Sequence, residues 1–268
     1  MIISLFNRSL IQVNGEDAQT FLQSQFTNDI SRCKNFEVQF NAYCQHQGKV
    51  IGVIWLFIYD GSYFLSFPKE LQSEVLTKLE MYRMMSDVKF VDVSSEYFTY
   101  AIIDEEFPKK FKLKNKLSIA ISQEKISTAD FSFWEKECIE NLIPEIYSHT
   151  SLKYTPESLN LDIDEFGLSF SKGCYPGQEV VARMHYLGKP KRRLLHFISE
   201  YEAFVGDSIN SNGSKSLKPS GEIIRVGKIG KKYHFLGTFE VAHINDTIFL
   251  QNDMNKSLTV INAETYIP

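Results

Sequence analysis

Cysteine is scarce in this chain. Four residues in 268 carry a thiol, and Cys33, Cys44, Cys138 and Cys174 lie far apart with no CxxC pair among them. That scatter excludes a disulfide-stapled secreted scaffold and the ligand spacing of a zinc site or a protein-held iron–sulfur cluster, and it suits a reducing compartment. Tryptophan is scarcer still, with Trp55 and Trp134 alone. No apolar run approaches the roughly 20 residues that span a bilayer. Met1–Phe6 lacks the basic start, long apolar stretch and small-residue cleavage site of a signal peptide. The expectation is a cytoplasmic protein with no membrane contact.

Positive charge is not in excess either. Lys and Arg total 29 against 33 Asp and Glu, a net charge of −4. Without a global positive field, direct nucleic-acid contact is not expected. The single dense basic tract is Lys189-Pro190-Lys191-Arg192-Arg193, which reads either as a solvated strand start or as a clamp for an anion. Serine-hydrolase, dinucleotide and phosphate-loop signatures are all missing. So are evident acid–base carboxylates, since Asp162-Ile163-Asp164-Glu165 falls in an irregular, solvated stretch.

What is present is aromatic, alternating sequence that favours strands. A first helix is expected over Gly15–Phe26 and strands over Phe36–Gln45, Val50–Tyr59 and Tyr63–Phe67, with Asp60-Gly61 as a hairpin turn. Pro68 reads as the start of a second helix running to Met85. Strands follow at Val88–Val93, Tyr97–Ile103, Leu117–Ile121 and Ala129–Phe133, then a short helix over Trp134–Leu142. The segment 143–167 is irregular, yet its apolar residues imply that it packs. Leu168–Ser171 reads as a short strand and Glu179–His185 as a helix. From Lys191 onward, strand-like runs about ten residues apart alternate with Gly, Asn, Ser and Lys turns and show no helix. They are Leu194–Ile198, Glu222–Ile229, Tyr233–Phe239, Thr247–Leu250 and Leu258–Ile261. A small antiparallel barrel or sandwich is expected there. The fold class is therefore α+β, with a domain over 1–188 and a second over 189–268.

The richest stretch is Lys172-Gly173-Cys174-Tyr175-Pro176-Gly177-Gln178-Glu179. Tyr175–Gln178 suits a type II turn, with proline fixing φ at the second position and glycine supplying φ > 0 at the third. Gly173 suggests close backbone approach on the other side. The pattern presents the Cys174 sulfur rather than packing it, and the Lys172 ammonium and the free N–H groups of a following helix would favour a thiolate. A tight turn that merely contains a small apolar residue is the alternative. Arg183, Arg192 and Arg193 could take a ligand carboxylate in a bidentate fork, or be surface charge. Trp134 could stack on a planar heteroaromatic ring, or be core.

These residues resemble the K-G-C-[YF]-x-G-Q-E signature of the YgfZ-type folate-binding proteins, relatives of the aminomethyltransferase (T-protein) of the glycine cleavage system. The likeness continues through Val180-Val181-Ala182-Arg183 to Lys191-Arg192-Arg193. Upstream it takes in Phe21–Asp29, Tyr43–Val50, Ile143-Pro144-Glu145 and Tyr154–Asn160. The resemblance implies an aminomethyltransferase-like folate-binding core of mixed sheets and helices over 1–188, followed by a C-terminal antiparallel β-barrel over 189–268. It implies tetrahydrofolate or a derivative as cofactor and iron–sulfur client proteins (tRNA-modifying enzymes among them) as partners; a monomer is expected. Cys174 becomes the functional thiol. Trp134, Lys172, Tyr175, Gln178, Glu179 and Arg183 become folate contacts, with no metal ligands. Two departures stand out. Ile51-Gly52-Val53-Ile54 replaces the stretch in which the aminomethyltransferase carries an acidic pair, and no tryptophan lies near Phe6–Leu10. The first weighs against glycine-cleavage chemistry. Three readings remain: an accessory protein for iron–sulfur enzymes, a folate-dependent one-carbon transferase with another acid such as Glu179 or Asp29, and a non-catalytic interaction module.

Overall fold

Val50–Tyr59, apolar and β-branched, forms a strand along its whole length, and its first eight residues are buried. Such a run needs cover on both faces, and the surrounding elements provide it. In a computed structural model, which describes residues 1–261, the strands are β1 (Ile2–Ser4), β2 (Arg8–Asn14), β3 (Gln39–Cys44), β4 (Val50–Tyr59), β5 (Ser62–Pro68), β6 (Lys89–Asp92), β7 (Phe98–Ile103), β8 (Lys110–Lys114) and β9 (Leu117–Ser122). They continue as β10 (Arg192–Ser199), β11 (Ser208–Ser211), β12 (Gly221–Ile229), β13 (Lys232–Glu240), β14 (Ile248–Leu250) and β15 (Ser257–Ile261). The helices are α1 (Ala18–Gln25), α2 (Gln72–Arg83), α3 (Phe131–Glu140) and α4 (Gln178–Leu187). None of them is long and apolar enough to cross a membrane.

The chain divides into two compact units. The first comprises Met1–Phe131, Ile146–Pro156 and Leu161–Arg183. It holds a five-stranded antiparallel sheet in the order β3-β4-β5-β2-β6 and a four-stranded one in the order β1-β7-β9-β8. The β4–β5 hairpin turns on Asp60 and Gly61, both at positive φ (46° and 79°), as the Asp-Gly pair predicts. Gly52 of β4 faces Leu71 and Val75, so α2 covers this side of the sheet.

The second unit comprises Ser132–Glu145, Glu157–Asn160 and the chain from Met184 on. Its strands close into an antiparallel barrel, β10-β13-β12-β11-β14-β15, completed where β15 returns to pair with β10. Leu195, Phe197, Ile209, Ile223, Phe235 and Phe239 fill it. Closure leaves no strand edge exposed. The barrel and the mixed α+β architecture are those the sequence predicts; residues 262–268 of the expected second domain lie outside the described residues.

Four expectations differ in detail. Pro68 is not itself helical: its φ of −55° and ψ of 133° are extended, it ends β5 opposite Arg8, and it caps a 3-10 turn, Lys69–Leu71, that leads into α2 at Gln72. Ala129 makes only an isolated bridge to Ile3, and Phe131 already begins α3, whose buried Trp134 and Cys138 follow helical spacing. Leu168–Ser171 is not a strand; Ser169 donates one backbone hydrogen bond to Thr27 O (3.0 Å) and no ladder follows. Strands β1, β2, β8 and β11 had no clear signal. The irregular segment does pack, with Ile146, Leu159 and Leu161 fully buried.

Candidate functional site

Tyr175-Pro176-Gly177-Gln178 forms the expected turn: Gln178 N–H donates to Tyr175 O at 3.1 Å, and Gly177 has a φ of +86°. Glycine is required at 177 for a second reason. A Cβ there would stand 2.5 Å from Gln45 O and 2.8 Å from Gly48 Cα, because this turn rests backbone to backbone on the β3–β4 connection. Gly173 differs. Its φ is not positive and a Cβ would meet nothing within 4 Å, so open space, not close backbone approach, lies beside it. It alone among the fourteen glycines has neither a backbone nor a steric demand for glycine.

The upstream arm of the turn is held by Lys172, which is buried. Its ammonium donates to Gln23 O and Phe26 O, at 2.5 Å each, and stands 5.2 Å from the centroid of the Tyr175 ring. Burial brings the Lys172 pKa down to about 8, against a weaker opposing pull from Asp29. Tyr175 is buried with Leu168 and Val181, and Phe170 packs against the group. Nearby, Arg32 bonds Asp29 (3.3 Å), Glu165 (3.1 Å) and Ser171 Oγ (3.3 Å), bracing the residue just before Lys172. Thr27 adds a buried tie, donating Oγ1–H to Gly167 O (2.6 Å) while accepting from Ala42 N–H (2.7 Å).

Between these two supports Cys174 is exposed, while Cys44 and Cys138 are buried and Cys33 is half-buried. Burial, and secondarily Glu37, pushes the Cys33 thiol up to about 12. Gln178 begins α4, and Glu179 and Arg183 are exposed along it. The structure thus gathers Lys172, Cys174, Tyr175 and Gln178 on one turn, with Glu179 and Arg183 on the helix it feeds. Trp134 belongs to the second unit, on α3, and is 2% exposed. Arg192 donates to Pro219 O (2.7 Å) and pairs with Glu240 (3.2 Å), and Arg193 donates to Glu157 O (2.9 Å). Both arginines are therefore engaged in holding the second unit together. Among the described residues no cluster of three His, Cys, Asp or Glu side chains could hold a metal ion.

Gln25 Oε1 on α1 and Tyr43 OH on β3 are buried without a hydrogen-bond partner. Burial, with Tyr82 and Glu74 nearby, pushes the Tyr43 hydroxyl well above the ordinary phenol range. The Trp134 ring is covered and presents no open stacking face. The sequence did not point to Arg32, Ser171 or the Gln23 and Phe26 carbonyls as partners of the cysteine turn. Backbone acceptors leave no residue-type signal.

No protein-family model matches the chain. An uncharacterized protein of Haemophilus influenzae is 31% identical over 232 residues, 82% of each chain. The tRNA-modifying protein YgfZ of Aliivibrio fischeri is 27% identical over 285 residues, covering 92% of this chain and 84% of that one. The protein of the same name from Buchnera aphidicola is 26% identical, covering 94% and 86%. Among solved structures, the glycine cleavage system aminomethyltransferase T from Bartonella henselae superposes with a TM-score of 0.65 over 99% of this chain and 86% of that one, at 11% identity. That likeness is one of fold.

Proposed function

Because the chain belongs to the YgfZ family of tRNA-modifying proteins, we propose that it is a folate-binding accessory protein supporting the maturation or repair of iron–sulfur enzymes, tRNA-modifying ones included, through the thiol of Cys174. The observation that carries this reading is an exposed cysteine on a turn fixed on both sides. A thiol that served packing would be inside, as Cys44 and Cys138 are. Tetrahydrofolate, when bound, supplies a one-carbon carrier. Tyr175, Gln178, Glu179 and Arg183 hold it in this reading, with Arg183 meeting the carboxylates of its glutamate tail. Lys172 supports that turn from beneath. The protein works in the cytoplasm, as a monomer, on client proteins rather than on tRNA itself.

The one-carbon transferase reading is less well supported. Ile51, Gly52, Val53 and Ile54 are buried in β4, and no carboxylate stands among them. The test is complementation of an iron–sulfur maturation defect by Cys174→Ala, whose fold should be unchanged. Loss of complementation is expected; full rescue overturns the role of the thiol. Titration of a Trp55→Phe variant with tetrahydrofolate leaves Trp134 as the one indole reporter, and absence of any saturable change in its fluorescence counts against folate binding.

A further inference from the structure

The last turn of α1 contains no basic residue, and its C-terminal carbonyls need partners from elsewhere. Phe26 N–H closes the helix on Leu22 O (3.1 Å), but Thr27 N–H leaves for Ala42 O (3.1 Å) on β3. Gln23 O therefore loses the intrahelical partner a further turn would give, and Phe26 O has none within the helix. Both accept from the ammonium of Lys172, which is 149 and 146 residues away in sequence. A cation at the C-terminal end of a helix meets both the free carbonyls and the negative end of the dipole. Lys172 lies two residues before Cys174, so capping α1 also anchors the arm that carries the thiol.

We propose that Lys172 is a positioning residue for Cys174: by capping α1 from across the unit, it fixes the upstream arm of the cysteine turn, as contact of Gly177 with the β3–β4 connection fixes the downstream arm. This rests on Cys174 being the working group, but the latch can be measured without any assay of function. A burial this complete also explains a lysine, rather than an arginine, at 172. Two convergent carbonyls fit a compact ammonium and not a planar fork.

The test compares the wild-type chain with Lys172→Met by amide hydrogen exchange, together with the alkylation rate of Cys174 by iodoacetamide. Losing hydrogen bonds to a charged group should speed exchange about tenfold or more in 23–28 and in 171–178 together. Amides of β12 and β13 act as the control and should not change. The Cys174 alkylation rate should shift toward that of a free peptide spanning 171–179. Unchanged exchange in either segment, or faster exchange throughout, overturns the latch. Should Lys172→Met fail to fold, the wild-type chain labelled with ¹⁵N-lysine decides: one lysine ammonium must be protected from solvent exchange, and the absence of any such signal overturns the proposal. The same signal must survive in Cys174→Ala. Complementation by that variant would sink the functional reading and leave the latch standing, whereas loss of the ammonium signal would do the reverse.

Discussion

Arg225 places Nη1 2.9 Å from each carboxylate oxygen of Glu135, and Arg225 itself is 2% exposed. Its Nη2 lies 3.7 Å from Glu145, whose side chain is equally buried. One guanidinium on β12 thus ties α3 and the segment after it to the barrel within the second unit. Glu135 is the neighbour of Trp134, so this pair helps set where that ring sits. Breaking a buried pair from one side leaves carboxylates without their cation and costs about 3–5 kcal/mol. Arg225→Met should lower unfolding stability by that order in urea titration of the full chain. A loss under about 1 kcal/mol, the scale of a surface pair, would show that the network contributes little.

Gly177 and Gly173 flank the same cysteine and should respond oppositely. Gly177→Ala forces a left-handed residue at a φ of +86° and drives a Cβ to 2.5 Å from Gln45 O. The backbone strain alone is about 1–2 kcal/mol, and the clash adds to it. Gly173→Ala meets no atom within 4 Å and no positive φ, so its stability should stay within about 0.5 kcal/mol of wild type. Any loss of complementation by Gly173→Ala then reports on approach to the thiol. Thermal denaturation of the two variants side by side checks this, and equal destabilisation would refute the distinction.

His196 Nε2 and His234 Nδ1 lie 2.9 Å apart across β10 and β13. Burial, and then His234, brings the His196 pKa down to about 4; His234 is lowered by burial too, with Glu140 opposing and Lys232 and Lys136 reinforcing. The folded chain therefore holds His196 neutral at pH values where the unfolded chain, titrating near 6.5, binds a proton. Stability from this residue is fully present above about pH 6.5 and declines as pH falls toward about 4. His196→Gln should remove that part of the acid sensitivity. The check is the stability difference between wild type and variant at pH 7 and at pH 4.5; an unchanged difference would mean that the pair does not titrate as described.

Strand β4, the Asp60-Gly61 hairpin and the Tyr175–Gln178 turn were legible because each depends on local chemistry: apolar continuity, tolerance of positive φ, and the fixed φ of proline. The barrel was legible from turn spacing. What escaped depends on distant partners. β8, Lys110–Lys114, alternates charge and apolar side chains in a five-residue run too short to stand out. β1 is three residues whose identity as a strand comes wholly from β7. At the site, the motif announced Cys174 and the need for glycine at 177. It could not say that the Lys172 ammonium would turn inward to main-chain oxygens, nor that Gly173 would border open space. Trp134 read as core from the residues alone and as a folate contact from the resemblance, since an indole has the same sequence signature in both settings.

The four thiols should separate cleanly by reagent. Cys44 and Cys138 are sealed by burial, and Cys33 is half-buried with its thiol held up at about 12. Thiolate, not thiol, attacks an alkylating agent, so Cys33 is slow at neutral pH for an electrostatic as well as a steric reason. Cys174 has no steric obstacle, since it is exposed beside an empty flank at Gly173. Brief treatment of the native chain with iodoacetamide near pH 7.5 should therefore add one label, at Cys174, and treatment in denaturant should add four. Peptide mapping reads the result directly. If the first label falls on Cys33, or if native labelling proceeds at several sites at equal rates, the thiol singled out by its turn is not the one the fold presents.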